Sequence, residues 1–158
     1  MSIALVRNLV KGGSNNADYI FKNGELLVPM QNYQTVSYPH RSAGYSRRSG
    51  SITVVSNDLH LEMTNPGGGT SFLTAEMDLT NVSSISINVD TIGGPYIYAG
   101  LTDSTADAYT ATGEIQLQSG INNLSCESLT GIYRLYFCIT AYNVSSYSID
   151  INEIKKIK

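Results

Sequence analysis

The sequence has no tryptophan and only two cysteines, four prolines and three phenylalanines. Lacking Trp, it departs from the immunoglobulin-type sandwich, whose core Trp usually packs between the sheets; that fold remains the alternative. Cys126 and Cys138 are too few for a disulfide scaffold and lack the paired spacing of a zinc site. They read as reduced thiols at least partly buried, and whether they are bridged stays open at this stage. Charge is also scarce, at 15% of residues with a net charge of −3. No long-range positive field exists to gather phosphates, so nucleic acid is not expected as a partner. No apolar run approaches the roughly 20 residues that span a bilayer, so membrane insertion is not expected. Ile3 to Val6 is followed at once by Arg7, too short for a secretory core. Helix formers are few as well: Ala, Glu and Lys total 20, and no segment carries an apolar stripe at i, i+3, i+4, i+7 over three turns.

What fills the chain instead is Ser, Thr and Asn, 45 of 158 residues, together with 48 Ile, Val, Thr and Tyr. β-Branched and aromatic types suit a pleated, half-buried surface, so the expected class is all-β. Strand patterns alternate with turn clusters at short intervals. Tyr19-Ile20-Phe21 runs through Asn23-Gly24 into Glu25 to Pro29 as a tight hairpin. Ser51 to Val55 and Leu59 to Met63 form a second hairpin around Ser56-Asn57-Asp58. Pro66 to Gly69 reads as a flexible turn, with no Lys following to complete a phosphate loop, and Phe72 to Leu79 as the next strand. In Ser84 to Asp90, Ile85, Ile87 and Val89 oppose Ser86, Asn88 and Asp90 with period two. Further strands are expected at Tyr96 to Leu101, Glu114 to Gln118, Tyr133 to Tyr142 and Tyr147 to Ile154, the last ended by the lysines. Seven or more antiparallel strands without crossover helices imply two packed sheets, a jelly roll, in a single domain over 1–158 with 1–17 as an extended N-terminal arm.

Several stretches resemble jelly-roll carbohydrate-binding modules and related modules of phage and prophage virion proteins. Asn8-Leu9-Val10-Lys11-Gly12-Gly13 is similar to their opening segment, with Gly12 where Asn is usual. Tyr19-Ile20-Phe21-Lys22-Asn23-Gly24 resembles a short aromatic, Lys, Asn, Gly unit of such virion proteins. Met77 to Ile87 resembles a strand entry of these modules, and Leu129 to Tyr136 with Ser148 to Ile154 resemble the closing strands. The resemblance implies a virion structural or adhesion module, assembled in the bacterial cytoplasm without a signal peptide. The missing Trp departs from it, because sugar-stacking faces in that family often depend on one.

No catalytic arrangement is visible. His40 and His60 sit in no Ser-His-Asp, His-Glu-x-x-His or Cys-His pattern. A glycan hydrolase would need two carboxyl groups roughly 5 to 9 Å apart across a cleft, and the sequence fixes no such pair. Asp103 and Asp107, with Asp150 and Glu153 further on, are weak candidates for calcium, as oxygen donors without an Asp-x-Asp-x-Asp-Gly spacing. Otherwise no cofactor is expected.

Parity is more informative. On Tyr133 to Tyr142 the alternate set Arg134, Tyr136, Cys138, Thr140, Tyr142 lies opposite Leu135, Phe137 and Ile139. On Tyr96 to Leu101, Tyr96 and Tyr98 oppose Ile97, Ala99 and Leu101. If the two strands share a sheet, Tyr96, Tyr98, Arg134, Tyr136 and Tyr142 make a platform suited to a sugar's C–H face or to a protein partner. A second segment, Asn32 to Gly50, carries Tyr33, Tyr38 and Tyr45 with Arg41, Arg47 and Arg48, the rings and basic charge used on single-stranded nucleic acid or anionic glycans, and Tyr38, Arg41, Tyr45, Arg47 and Arg48 read as a partner-contact loop. The expected function is a non-enzymatic virion module acting as a homo-oligomer or with other virion proteins. The alternatives are a module recognising cell-surface polysaccharide and a glycan-acting hydrolase.

Overall fold

The computed structural model describes residues 18–33, 48–65, 67–103, 111–141 and 147–158. They fold as an all-β jelly-roll sandwich of two antiparallel sheets. The N-terminal arm, 1–17, lies outside the described residues.

Two tight hairpins begin the first sheet. β1 (Tyr19–Lys22) turns through Asn23 and Gly24 into β2 (Glu25–Leu26), with φ of 52° and 78° at the turn. β4 (Gly50–Val55) turns through Ser56 and Asn57, at φ 51° and 68°, into β5 (Asp58–Met63). Both turns have two left-handed residues, the geometry that matches strand twist in a two-residue loop. They pack back to back: a Cβ on Gly24 would lie 3.3 Å from the Asn57 Cα. The sheet is completed by β8 (Ser84–Gly93), β11 (Gly120–Ser125) and β13 (Ser148–Ile157). β13 is its axis, flanked along its length by β8 and, on the other side, by β5 at its start and β1 at its end. It runs on through Lys155 and Lys156 to Ile157, beyond the end the lysines suggested, because Ser84 to Ser86 pair with that stretch.

The second sheet holds β3 (Met30–Tyr33), β6 (Gly68–Thr74), β9 (Ile97–Thr102), β10 (Ala111–Gln116) and β12 (Ile132–Ala141), in the order β10-β9-β12-β6-β3. β7 (Met77–Asp78) pairs with the start of β12. Three expectations are corrected. Phe72 to Leu79 is not one strand: it breaks at Ala75 and Glu76, where the Ala75 N–H leaves the ladder for the Pro29 carbonyl. Gly68 and Gly69 are not a turn but buried β6 positions paired with Ala141 and Thr140. Asn32 and Tyr33 belong to a strand rather than to a loop.

The core lies between the sheets. Ile85, Ile87, Val89, Ile149, Ile151 and Ile154 meet Phe72, Ile97, Leu101, Leu135, Phe137 and Ile139 across it. Burying each such side chain stabilises the fold by about 1.5 to 3 kcal/mol. Asn32 ties the two sheets at one edge. Its amide donates to Thr70 Oγ1 at 2.7 Å and to the Ser71 carbonyl at 2.9 Å, while its oxygen accepts from the Gly50 N–H at 2.9 Å.

The second sheet is also covered over part of its other side. Leu73, Tyr98, Tyr136 and Cys138 are buried yet belong to no part of the core between the sheets. Register places them together, with Tyr136 opposite Leu73 and Cys138 opposite both Ser71 and Tyr98. Every residue of β6 and of β9 is buried.

Candidate functional site: a groove on the second sheet

β9 and β12 are neighbours, and Tyr98, Arg134 and Tyr136 do share one face. That face is not an open tyrosine platform. Tyr136 is 0% exposed and Tyr98 8%, and only Tyr96, which precedes β9, is open at 48%. Tyr136 is laid across its pair partner Gly100, and its hydroxyl donates to Glu114 Oε2 on β10 at 2.7 Å. It packs inside the protein, and its ring is not offered to a ligand. Tyr142 lies outside the described residues, as do Tyr38, Arg41, Tyr45 and Arg47 of the second segment. Arg48 is described and half-buried: its N–H donates to the Gly69 carbonyl at 2.8 Å and its Nη2 to the Gly67 carbonyl at 3.3 Å.

An opening exists one row below Tyr136. Because β6 ends at Thr74 and β7 resumes at Met77, β12 lacks a ladder partner between them on that edge, while β9 still pairs with Arg134 and Leu135 on the other. The Leu135 N–H is met instead by the Thr74 hydroxyl at 3.0 Å, and Arg134 Nη1 donates to the Thr74 carbonyl at 3.2 Å. Beside this break is a groove of about 160 Å³ lined by Pro29, Met30, Gln31, Tyr33, Leu73, Thr74, Ala75 and Arg134. Its walls are apolar, with one phenol, one carboxamide and one guanidinium as the long polar side chains. Arg134 is the member of the expected set that the structure places here. Gln31 and Tyr33 join it because β3 pairs with β6, Gln31 opposite Leu73 and Tyr33 opposite Ser71. Next to them, the buried Ser71 Oγ has no hydrogen-bond partner among the described residues.

The outward face of the first sheet carries a second polar cluster. Asp150 on β13 accepts from Thr91 Oγ1 at 2.5 Å and from His60 Nδ1 at 2.7 Å, and His60 Nε2 lies 3.7 Å from Glu62. Burial raises the Asp150 carboxyl, but the bonds from Thr91 and His60 outweigh it and hold the pKa below its ordinary value of 3.8. The arrangement does not build a nucleophile, since the Thr91 hydroxyl points at the carboxylate and not at the imidazole. Nor does it build a glycosidase pair: the space between Asp150 and Glu62 is filled by the imidazole, where a sugar and water would have to sit.

For calcium, Asp103 is exposed at the end of β9, Asp107 lies outside the described residues, and Asp150 is engaged as above. Among the described residues no three His, Cys, Asp or Glu side chains are placed to hold a metal ion together. Cys126 and Cys138 are both free thiols, Cys126 in the core between the sheets and Cys138 on the far side of the second sheet. No helix among the described residues is long and apolar enough to cross a membrane.

No family model matches the sequence, and no curated protein matches it. Solved structures do. Over 81% of this chain and 94% of the other, the protein superposes with a TM-score of 0.52 and 9% identity on the low-affinity xylan-binding module CBM86 of Roseburia intestinalis. The fold is carbohydrate-binding-module-like. CsCBM6-3 of Clostridium stercorarium, solved with cellobiose, gives a TM-score of 0.45 at 14% identity over 94% of this chain and 99% of that one. The secreted serine protease VesC of Vibrio cholerae gives 0.46 at 10% identity, over 72% of this chain and 24% of that one. The fold argument rests on the first of the three. These likenesses give no support to a virion setting or to an oligomer.

Proposed function

We propose that the protein is a non-catalytic carbohydrate-binding module that holds one sugar residue of a polysaccharide in the groove of β3, β6 and β12. The observation that carries this reading is the meeting of Tyr33, Gln31 and Arg134 on a floor of Pro29, Met30, Leu73 and Ala75. A sugar has an apolar C–H face and a rim of hydroxyls, so it needs an aromatic or aliphatic surface flanked by donors and acceptors. A cavity of about 150 Å³ encloses a ring the size of benzene; a pyranose is larger by its hydroxyls, so the open groove would seat one ring with its hydroxyls at the mouth. The sandwich it shares with a module described as xylan-binding supports the same reading.

The test is affinity electrophoresis of the whole protein in gels containing plant and bacterial polysaccharides. Retardation by at least one polymer is expected, weakened about three- to tenfold by Tyr33→Ala, as loss of one aromatic contact implies. Free migration through every polymer would refute the reading.

A further inference from the structure

Resting on that reading of the groove, the charge of its one ionic side chain points to a narrower ligand class. We propose that the groove selects an acidic sugar, a pyranose carrying a carboxylate, and that Arg134 is its carboxylate receptor.

Arg134 is half-buried, and among the described residues its guanidinium bonds from Nη1 to a neutral acceptor, the Thr74 carbonyl. Among the described residues no carboxylate comes within 4.0 Å of its guanidinium. A cation drawn out of water without a counter-ion is costly, and a structure keeps it when an anion completes it. The groove lining contains no Asp or Glu, so Arg134 is the only ionised group there. The site is locally positive in a chain whose net charge is −3. The bond to the Thr74 carbonyl fixes one arm of the guanidinium. A guanidinium's planar fork of donors fits the two oxygens of a carboxylate. Gln31 and Tyr33 supply neutral polar groups for the hydroxyls, and the volume admits one ring.

The experiment compares polygalacturonate and glucuronoxylan with their carboxyl-reduced counterparts, which differ only at the acidic group, by titration calorimetry. The acidic forms are expected to bind at least tenfold more tightly, as befits a hydrogen-bonded ion pair, with the advantage shrinking as salt rises. Arg134→Gln should erase that advantage, and Arg134→Lys should keep part of it, retaining charge but not the fork. Gln31→Glu, which supplies a carboxylate inside the groove, should erase it as well and tests the idea if Arg134→Gln fails to fold. Equal affinity of the native protein for acidic and reduced polymers would overturn the acidic-sugar proposal while leaving carbohydrate binding in place. So would a preference that survives both Arg134→Gln and Gln31→Glu, or dextran sulfate binding as tightly as the uronates. Binding to none of these polymers, nor to any neutral one, would overturn both readings together.

Discussion

The Tyr136 ring takes the space that a side chain at Gly100 would occupy: a Cβ placed there would sit 2.5 Å from the Tyr136 hydroxyl oxygen and 2.6 Å from Cζ. The two residues are cross-strand partners on β12 and β9, so the glycine lets the phenol lie flat across β9 and reach Glu114 on β10. One missing Cβ therefore links three adjacent strands.

Gly100→Ala should destabilise the protein by about 1 to 3 kcal/mol, because Tyr136 is fully buried and has no room to yield. Tyr136→Phe should cost about 1 to 3 kcal/mol by leaving the Glu114 carboxylate short of a donor. Urea denaturation checks both. A midpoint unchanged in both variants would mean that the ring does not hold this position. Tyr136→Ala, at about 3 to 5 kcal/mol, acts on folding and cannot serve as a probe of sugar binding.

These residues also mark where the sequence stops being legible. The alternation in Ser84 to Asp90 identified β8 because one face is buried and the other is partly wet. On β6 and β9 both faces are buried, so parity placed Tyr98, Arg134 and Tyr136 correctly on one side but carried no information on whether water reaches that side. β11 escaped notice because Gly-Ile-Asn-Asn-Leu-Ser is mostly polar. It is an edge strand with Ile121 63% exposed, and Asn122 bonds to the Gln118 and Gly120 backbone. The groove was invisible for a different reason. Gln31 and Tyr33 are distant from Arg134 in sequence and meet it only through the register of β3 on β6 and the two-residue break after Thr74.

Asn32 offers a second stability test, at the opposite edge of the sheet from Glu114. Its side chain makes three hydrogen bonds that join β3 to β6 and to Gly50 of β4. Asn32→Ala should cost about 2 to 4 kcal/mol, since groups of buried Thr70 and Ser71 and of half-buried Gly50 lose partners together. Gly50→Ala should be comparably harmful, its Cβ falling 2.5 Å from the Phe72 Cζ. Thermal melts of the two variants check this. Retention of the native midpoint in Asn32→Ala would show that the edge is held by strand pairing alone.

The thiols give a chemical test of their burial and of their separation. Cys126 is 1% exposed, and desolvation pushes its pKa up to about 11. At pH 7 the thiolate is then roughly one part in ten thousand, and it is the thiolate that reacts. Cys138 is fully buried on the far side of the second sheet, away from the core that holds Cys126. Native protein should show no thiol titre with an aromatic disulfide reagent over an hour, and two per chain in denaturant without any reductant. A titre below two in denaturant would reveal a bridge that the positions of Cys126 and Cys138 do not permit.

The Thr91–Asp150–His60 row sets a pH dependence whose sign follows from its geometry. Folding lowers the Asp150 pKa below its ordinary 3.8, so the folded state favours the ionised carboxylate. Its contribution to stability is complete above the ordinary carboxylate value and disappears as pH falls through the folded value. Protonation of Asp150 also removes an acceptor on which the Thr91 hydroxyl and the His60 Nδ1–H both depend. Denaturation midpoints followed from about pH 6 to about pH 2 should therefore fall in the acid range, and Asp150→Asn should flatten part of that fall while lowering the plateau above it. Thr91→Val should lower the plateau and move the acid limb toward higher pH, because the shorter of the two bonds to the carboxylate is gone. An acid limb identical in the native protein and both variants would mean that the ionisation of Asp150 is not linked to folding.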